Sequence, residues 1–208
     1  MTHEATFLPS AIDVAEYALQ QSGPLRGLKL QMLVYYVQAW SMATRGRPMF
    51  VERIQAWVHG PVVCELWQTH TDMGRSPMVT VGGRAEALDE RDRAFVREVL
   101  HYYGRMSASQ LRRLAHREGP WRESRGDIPE NQPSTNEITL ECLKEYYASR
   151  PWGAGRPATD LSAFSQDRVQ RSRQEIENGD VVDLDDLEHV LPDQASQVRS
   201  APCRFPKV

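Results

Sequence analysis

Apolar residues recur along this chain with a helical period, and glycine and proline break the rhythm at short intervals. Ser10 with Asp13 three residues on resembles a capping box with the shorter acid, so a first helix is expected to start at Ser10 or Asp13. Ile12, Val14, Ala15, Ala18 and Leu19 give it one apolar face. Ser22-Gly23-Pro24 ends it, since Gly23 supplies the cap and Pro24 cannot continue the helix. A second helix is expected from Leu28 to Thr44, where Leu30, Leu33, Val34, Val37 and Trp40 follow the i, i+3, i+4, i+7 spacing of a core face. Tyr35, Gln38 and Met42 fall on the flank, where a phenol and an amide can be half wet. Arg45-Gly46-Arg47-Pro48 closes the helix with cations near its negative end.

Beyond it the period shortens. From Ile54 to His59 the residues alternate, with Ile54, Ala56 and Val58 one way and Gln55, Trp57 and His59 the other, which predicts a short strand. Gly60-Pro61 turns the chain, and Pro61 suits the first position of a helix carrying Val62, Val63, Leu66 and Trp67. Val79 to Val81 suggests a second short strand before Gly82-Gly83. A helix from Asp89 to Tyr103 buries Phe95, Val96, Val99 and Leu100. Ser107-Ala108-Ser109-Gln110 is a capping box opening a helix with Leu111, Leu114 and Ala115 inward. Gly119-Pro120-Trp121 breaks the chain again, residues 125–136 read as a polar loop, and Ile138, Leu140, Leu143 and Tyr147 mark a further helix. The reading is a mainly α domain with a minor short β element, compact over residues 8–150.

The character changes after Pro151. Residues 151–159, with Trp152-Gly153-Ala154-Gly155-Arg156-Pro157, have the composition of a linker. Residues 160–208 form a C-terminal extension that begins as a polar helix over 160–178, anchored by Leu161, Phe164, Val169 and Ile176. It then becomes VVDLDDLEHVLPD, which alternates aliphatic with acidic residues and holds no Lys or Arg. Residues 151–208 carry seven basic and ten acidic side chains against 25 and 28 in the whole chain, so the extension holds the entire net charge of −3. Such a segment needs another surface to bury its aliphatic side.

Composition bounds the function classes. With 208 residues and 40% apolar content, the chain suits one domain plus an appendage and has enough to bury a core. A net charge of −3 argues against a chain built to coat nucleic acid. The first residues, MTHEATFLPSAID, carry an acid early and lack the basic and apolar regions of a signal peptide, and no stretch has the roughly 18 apolar residues of a membrane span. Three cysteines, Cys64, Cys142 and Cys203, without CxxC spacing fit a reduced, cytoplasmic setting.

Candidate chemistry is sparse. The six histidines never fall at metal spacing with cysteine or carboxylate, and HExxH is absent. Cys64 lies a turn and a bit from His59, which invites a Cys–His nucleophile, but a buried structural cysteine on an apolar helix is the preferred reading. Tyr35, Tyr36, Trp40 and Trp57 could stack nucleic-acid bases; without a basic stripe they read as core and partner-contact residues. Arg105, Arg112 and Arg113 could touch phosphate if the helix at 108–117 were a recognition helix, although a solvated helix face accounts for them. Arg125-Gly126-Asp127 reads as coincidence rather than adhesion. No GxGxxG, Walker or GxSxG pattern occurs. No catalytic, metal-binding or cofactor-binding residue is assigned, and no cofactor is expected.

One resemblance covers most of the domain. Leu28-Lys29-Leu30-Gln31, Leu33, Tyr35-Tyr36, Gln38-Ala39-Trp40, Gly46, Pro48, Phe50, Ile54-Gln55-Ala56-Trp57 and Gly60-Pro61-Val62-Val63 resemble the signature of the Panacea domain of SocA-like antitoxins and similar phage-associated proteins. Tyr103-Gly104, Ser107, Leu111, Leu114, His116, Glu118 and Pro120-Trp121, ahead of Ile138, form a second matching block. Met32, Val34, Ser41 and Cys64 depart from the usual pattern, in ways that could alter which partner is bound. The resemblance implies a non-enzymatic antitoxin of a bacterial or phage toxin–antitoxin pair. It would bind its toxin directly, with the toxin encoded by the adjacent gene, and could act as an adaptor to a ClpXP-type protease. The candidate partner contacts are Tyr35, Gln38, Met42, Trp57 and His59 in the domain, and Asp183, Leu184, Asp186, Leu187 and Glu188 in the extension. Two alternatives stay open: a DNA-binding regulator of its own operon, and an enzyme with an unrecognised site.

Overall fold

The computed structural model describes residues 8–71 and 76–150. The chain divides into two compact units, Met1–Ala154 and Gly155–Val208, and every described residue lies in the first. The linker, the helix and the acidic segment expected over residues 151–208 lie outside the described residues.

Helix α1 (Ala11–Ser22) starts where the sequence places it. The Ser10 hydroxyl accepts from the Asp13 amide at 3.1 Å, and the Asp13 carboxylate accepts from the Ser10 amide at 2.9 Å. Asp13 also accepts from the Arg84 amide at 2.7 Å, and these bonds hold its carboxyl below the usual range although burial works against them. Helix α2 (Gly27–Arg45) ends on Gly46, whose positive φ of 65° suits the left-handed cap.

Every residue from Leu30 to Met42 is buried. The wet flank expected for Tyr35, Gln38 and Met42 is therefore not there. Helices α1, α3 (Cys64–Thr71), α4 (Glu90–Tyr103), α5 (Ala108–Arg117) and α7 (Leu140–Ala148), with one strand, all pack on α2. A helix so enclosed has no solvent side for polar residues to mark, and its polar members must find partners inside. Trp40 does so by donating its Nε1–H to the Tyr103 hydroxyl at 2.8 Å.

The β element corrects the sequence reading of Gly60-Pro61. Strands β1 (Ile54–Trp57) and β2 (Gly60–Val63) form an antiparallel hairpin, with Ile54 opposite Val63 and Trp57 opposite Gly60. Helix α3 begins only at Cys64, so Pro61, Val62 and Val63 are strand residues rather than the first turn of a helix. Two facts explain this. Gly60 takes a φ of 119°, and a side chain there would approach the Met32 sulfur and methyl to 3.3 and 3.1 Å. The sheet order β2-β1-β3 then puts Pro61 on an edge strand, where a missing N–H is tolerated. Strand β3 (Glu137–Ile138) takes Ile138 out of the expected last helix and pairs it with Ile54. Helix α6 (Gly119–Arg125) follows directly after the Glu118 break, with Pro120 in its first turn. The strand expected at Val79–Val81 is absent; Met78 instead bridges to Leu25, Val79 is exposed, and Val81 is buried. Among the described residues no helix is long and apolar enough to cross a membrane.

Candidate functional site

Two glutamines of α2 act as side-chain peptides. Gln31 accepts from the Val63 amide at 2.9 Å and donates to the Val63 carbonyl at 3.3 Å, which fixes β2 against the helix. Gln38 accepts from the Met49 amide at 2.7 Å and donates to the Phe50 carbonyl at 2.8 Å. The extended segment after the Pro48 turn is thus clipped to α2 at both polarities. Gln38 is buried and serves as a clip within the domain.

The second polar centre is Glu118, at the junction of α5 and α6 and nearly sealed from solvent. One of its oxygens accepts from Tyr36 at 2.9 Å and from Tyr147 at 2.7 Å. Tyr147 gives its proton to Glu118, so Tyr35, 3.2 Å from the Tyr147 oxygen, supplies the donor in that pair. Tyr36 stacks on Tyr103 at 4.0 Å, and Trp40 meets Tyr147 edge-on at 5.1 Å. Burial pushes the Glu118 carboxyl up to about 7, against the pull of the two tyrosine hydrogen bonds and of Arg150. The cluster ties α2, α5, α6 and α7 together, and its enclosure makes it structural.

The third centre lies around the hairpin turn. His59 is only 9% exposed, although it sits at the tip of a two-residue loop, and neither ring nitrogen has a hydrogen-bond partner among the described residues. His116 stacks on Trp121 at 3.8 Å with an interplanar angle of 8°, and its Nε2 is likewise buried without a partner. Trp121 donates to the Trp57 carbonyl at 2.8 Å, and this bond seats α6 on the hairpin. Burial, helped by the charge of Arg112, lowers both imidazoles to about 4, so both are neutral at pH 7. Arg125 lies over the Trp121 ring at 4.9 Å and donates to the carbonyls of Ala56, Pro129 and Gln132 at 2.9, 2.6 and 2.5 Å. The Arg125-Gly126-Asp127 triplet is therefore a loop anchor. A depression of about 460 Å³ opens beside it, lined by Trp121, Arg122, Arg125, Asp127 and Glu130 among others.

The structure thus separates the domain residues proposed as partner contacts. Tyr35, Gln38 and Met42 are buried on α2, whereas Trp57 and His59 are buried in the hairpin cluster. Trp57 is itself buried, its indole N–H donating to Gln55 at 2.8 Å and its ring meeting Trp67 edge-on at 5.4 Å. Asp183, Leu184, Asp186, Leu187 and Glu188 lie outside the described residues. Sequence reasoning did not single out the roles of Glu118 and Arg125. Glu118, just before the Gly119-Pro120-Trp121 break, and Arg125, four residues past Trp121, were the available signal. Among the described residues no group of three or more His, Cys, Asp or Glu side chains is placed to hold a metal ion.

The class these features define is a mainly α domain wound round one enclosed helix, with a small hairpin clamped at its side. Residues 30–122 match the family described as Antitoxin SocA-like, Panacea domain. Antitoxin SocA of Caulobacter vibrioides (strain NA1000 / CB15N) is similar, with 29% identity over 125 residues. The match covers 54% of this chain and 64% of that relative, so the chain spans just under two thirds of the relative's length. No solved structure matches.

Proposed function

We propose that this protein is the antitoxin of a bacterial or phage toxin–antitoxin pair and that it neutralises its toxin by direct protein binding. The observation that carries this reading is the match of residues 30–122 to a family of antitoxins. The geometry supports it in one respect. The sealed Glu118 cluster and the two glutamine clips stabilise the scaffold, while exposed Arg122, Asp127 and Glu130 line the depression beside the Arg125 anchor, where a partner can meet them. Tryptophan and arginine are enriched among the residues that dominate protein interfaces. On this reading the protein binds rather than catalyses and works in the cytoplasm, where a toxin acts.

The toxin is the product of the adjacent gene. Co-expression in a host cell tests this. The neighbouring protein alone should arrest growth, the pair should restore it, and the two should co-purify as one complex. Arrest that persists despite stable co-expression would reject the antitoxin reading. A second limb of the proposal is delivery of the bound toxin to a ClpXP-type protease. Its test is degradation of the purified toxin by the purified protease, with and without this protein, and equal rates would remove the adaptor role.

A further inference from the structure

From Val99 to Arg117 the chain contains Arg105, Arg112, Arg113 and Arg117 and two histidines, but no carboxylate. Basic and acidic side chains balance over the first 150 residues as a whole, so the charge here is segregated. Arg105, Arg113 and Arg117 are exposed and Arg112 is half-buried. None of the four makes a hydrogen bond or ion pair among the described residues; Glu130, itself exposed, is close enough to favour the charge of Arg112. Leu111 and Ala115 hold the inner side of α5, so Arg113 and Arg117 project from its opposite side.

The helix does not need this pattern for its own sake. Arg113 and Arg117 are like charges at i, i+4, an arrangement that weakens a helix. Arg105 precedes the Ser107 cap, at the end where the helix dipole disfavours a cation. On the flank of the same helix, His116 lies beside Arg112, and both lie against the hairpin tip. There His59 and His116 together leave three buried ring nitrogens without a partner. Each neutral imidazole offers one N–H, so a carboxylate can accept from one nitrogen of each ring.

We infer that the outer side of α5 docks an acidic segment of the protein partner, with one carboxylate seated on Arg112 over the His59–His116 pair. The inference rests on the antitoxin reading above and adds to it the place and the chemistry of contact. Arg105, Arg113 and Arg117 form the rim, and the half-buried His116 ring, backed by the buried Trp121 on which it stacks, lies beside the seat. A protein is favoured over duplex DNA by the chain's net charge of −3, which opposes approach of a polyanion, and by the tryptophan–arginine composition of the seat.

The experiment measures binding of the full chain to the purified product of the adjacent gene, at several salt concentrations. Arg113→Glu/Arg117→Glu should lower the association rate about tenfold and flatten its salt dependence, with the melting temperature unchanged. Arg112→Gln should act mainly by raising the dissociation rate, as loss of a desolvated partner does. Arg91→Glu, on exposed α4, should leave both rates alone. If the double reversal melts early, Arg113→Gln/Arg117→Gln takes its place with a smaller expected loss. A folded double variant with unchanged rates would overturn the docking surface while leaving the antitoxin reading intact. Wild-type chain that never binds the neighbour would remove both. Loss of duplex DNA binding in the double variant, with protein binding unaffected, would assign the arginines to nucleic acid instead. A gain of affinity on changing Asp183, Asp185 and Asp186 to Asn in the full chain would assign them to the chain's own acidic segment. Either result overturns the inference.

Discussion

The residue that sets the domain's pH response is Glu118. Its carboxyl moves from an ordinary value of 4.5 to about 7 on folding, so the folded chain holds a proton in that interval that the unfolded chain releases. Stability contributed by Glu118 is thus fully present below 4.5 and is lost as pH rises through about 7. His59 and His116 work in the opposite direction. Their folded values near 4 lie below the ordinary 6.5, so their contribution is present above 6.5 and is lost as pH falls towards 4. Glu118→Gln keeps an acceptor for Tyr36 and Tyr147 but removes the titration. The gap in melting temperature, wild type minus variant, should widen in favour of the wild type on going from about pH 8 to about pH 5. A constant gap would clear Glu118 of the role. Trp40, 1% exposed and bonded to Tyr103, should cost about 3–5 kcal/mol when truncated to Ala, and denaturant unfolding will register it. Trp40 was legible from its spacing, as were Leu30, Leu33 and Val37. Tyr35, Gln38 and Met42 were not, because periodicity assumes that one side of a helix meets water. The burial of Glu118 and Arg125 was also hidden, since it depends on partners far apart in the chain.

At the scale of elements, the caps were the most readable signals. Ser10, Asp89 and Ser107 each accept a backbone N–H at the helix start expected of them, since capping is settled within four residues. The hairpin was less readable. Glycine followed by proline and two valines serves a turn into a helix as well as a turn into an edge strand, and only pairing with β1 decides between them. Gly60→Val tests the decision. It places a β-branched side chain at a φ of 119° and presses it against Met32, so a loss of about 1–3 kcal/mol is expected from the shift in denaturant midpoint. An unaltered midpoint would mean that the turn relaxes freely and that the Met32 contact is dispensable. Because His59 is next to Gly60, the same variant should also weaken partner binding if the hairpin tip helps to form the seat for the partner's carboxylate.

For the whole molecule, the mainly α class and the small β element were both evident before any coordinates, because helix caps and breakers punctuate the chain so regularly. The extension rests on sequence alone. Val181, Val182, Leu184, Leu187 and Leu191 are many aliphatics to leave in water, yet Asp183, Asp185, Asp186 and Glu188 oppose deep burial. An arm that closes on a basic-rimmed groove of the toxin fits both. A chain ending at residue 159 should therefore melt like the full protein and bind the proposed partner more weakly, and calorimetry measures both. Equal affinity would dismiss the arm, and an early melt would show that it completes the domain. The enclosure of α2 has a consequence for turnover. Its amides can exchange with deuterium only when the surrounding shell comes away, because no exposed side offers a local opening. Exchange along Leu30–Met42 should then report the global unfolding free energy alone. A protease that pulls on this domain would meet one cooperative barrier, and the domain would be either wholly present or wholly destroyed.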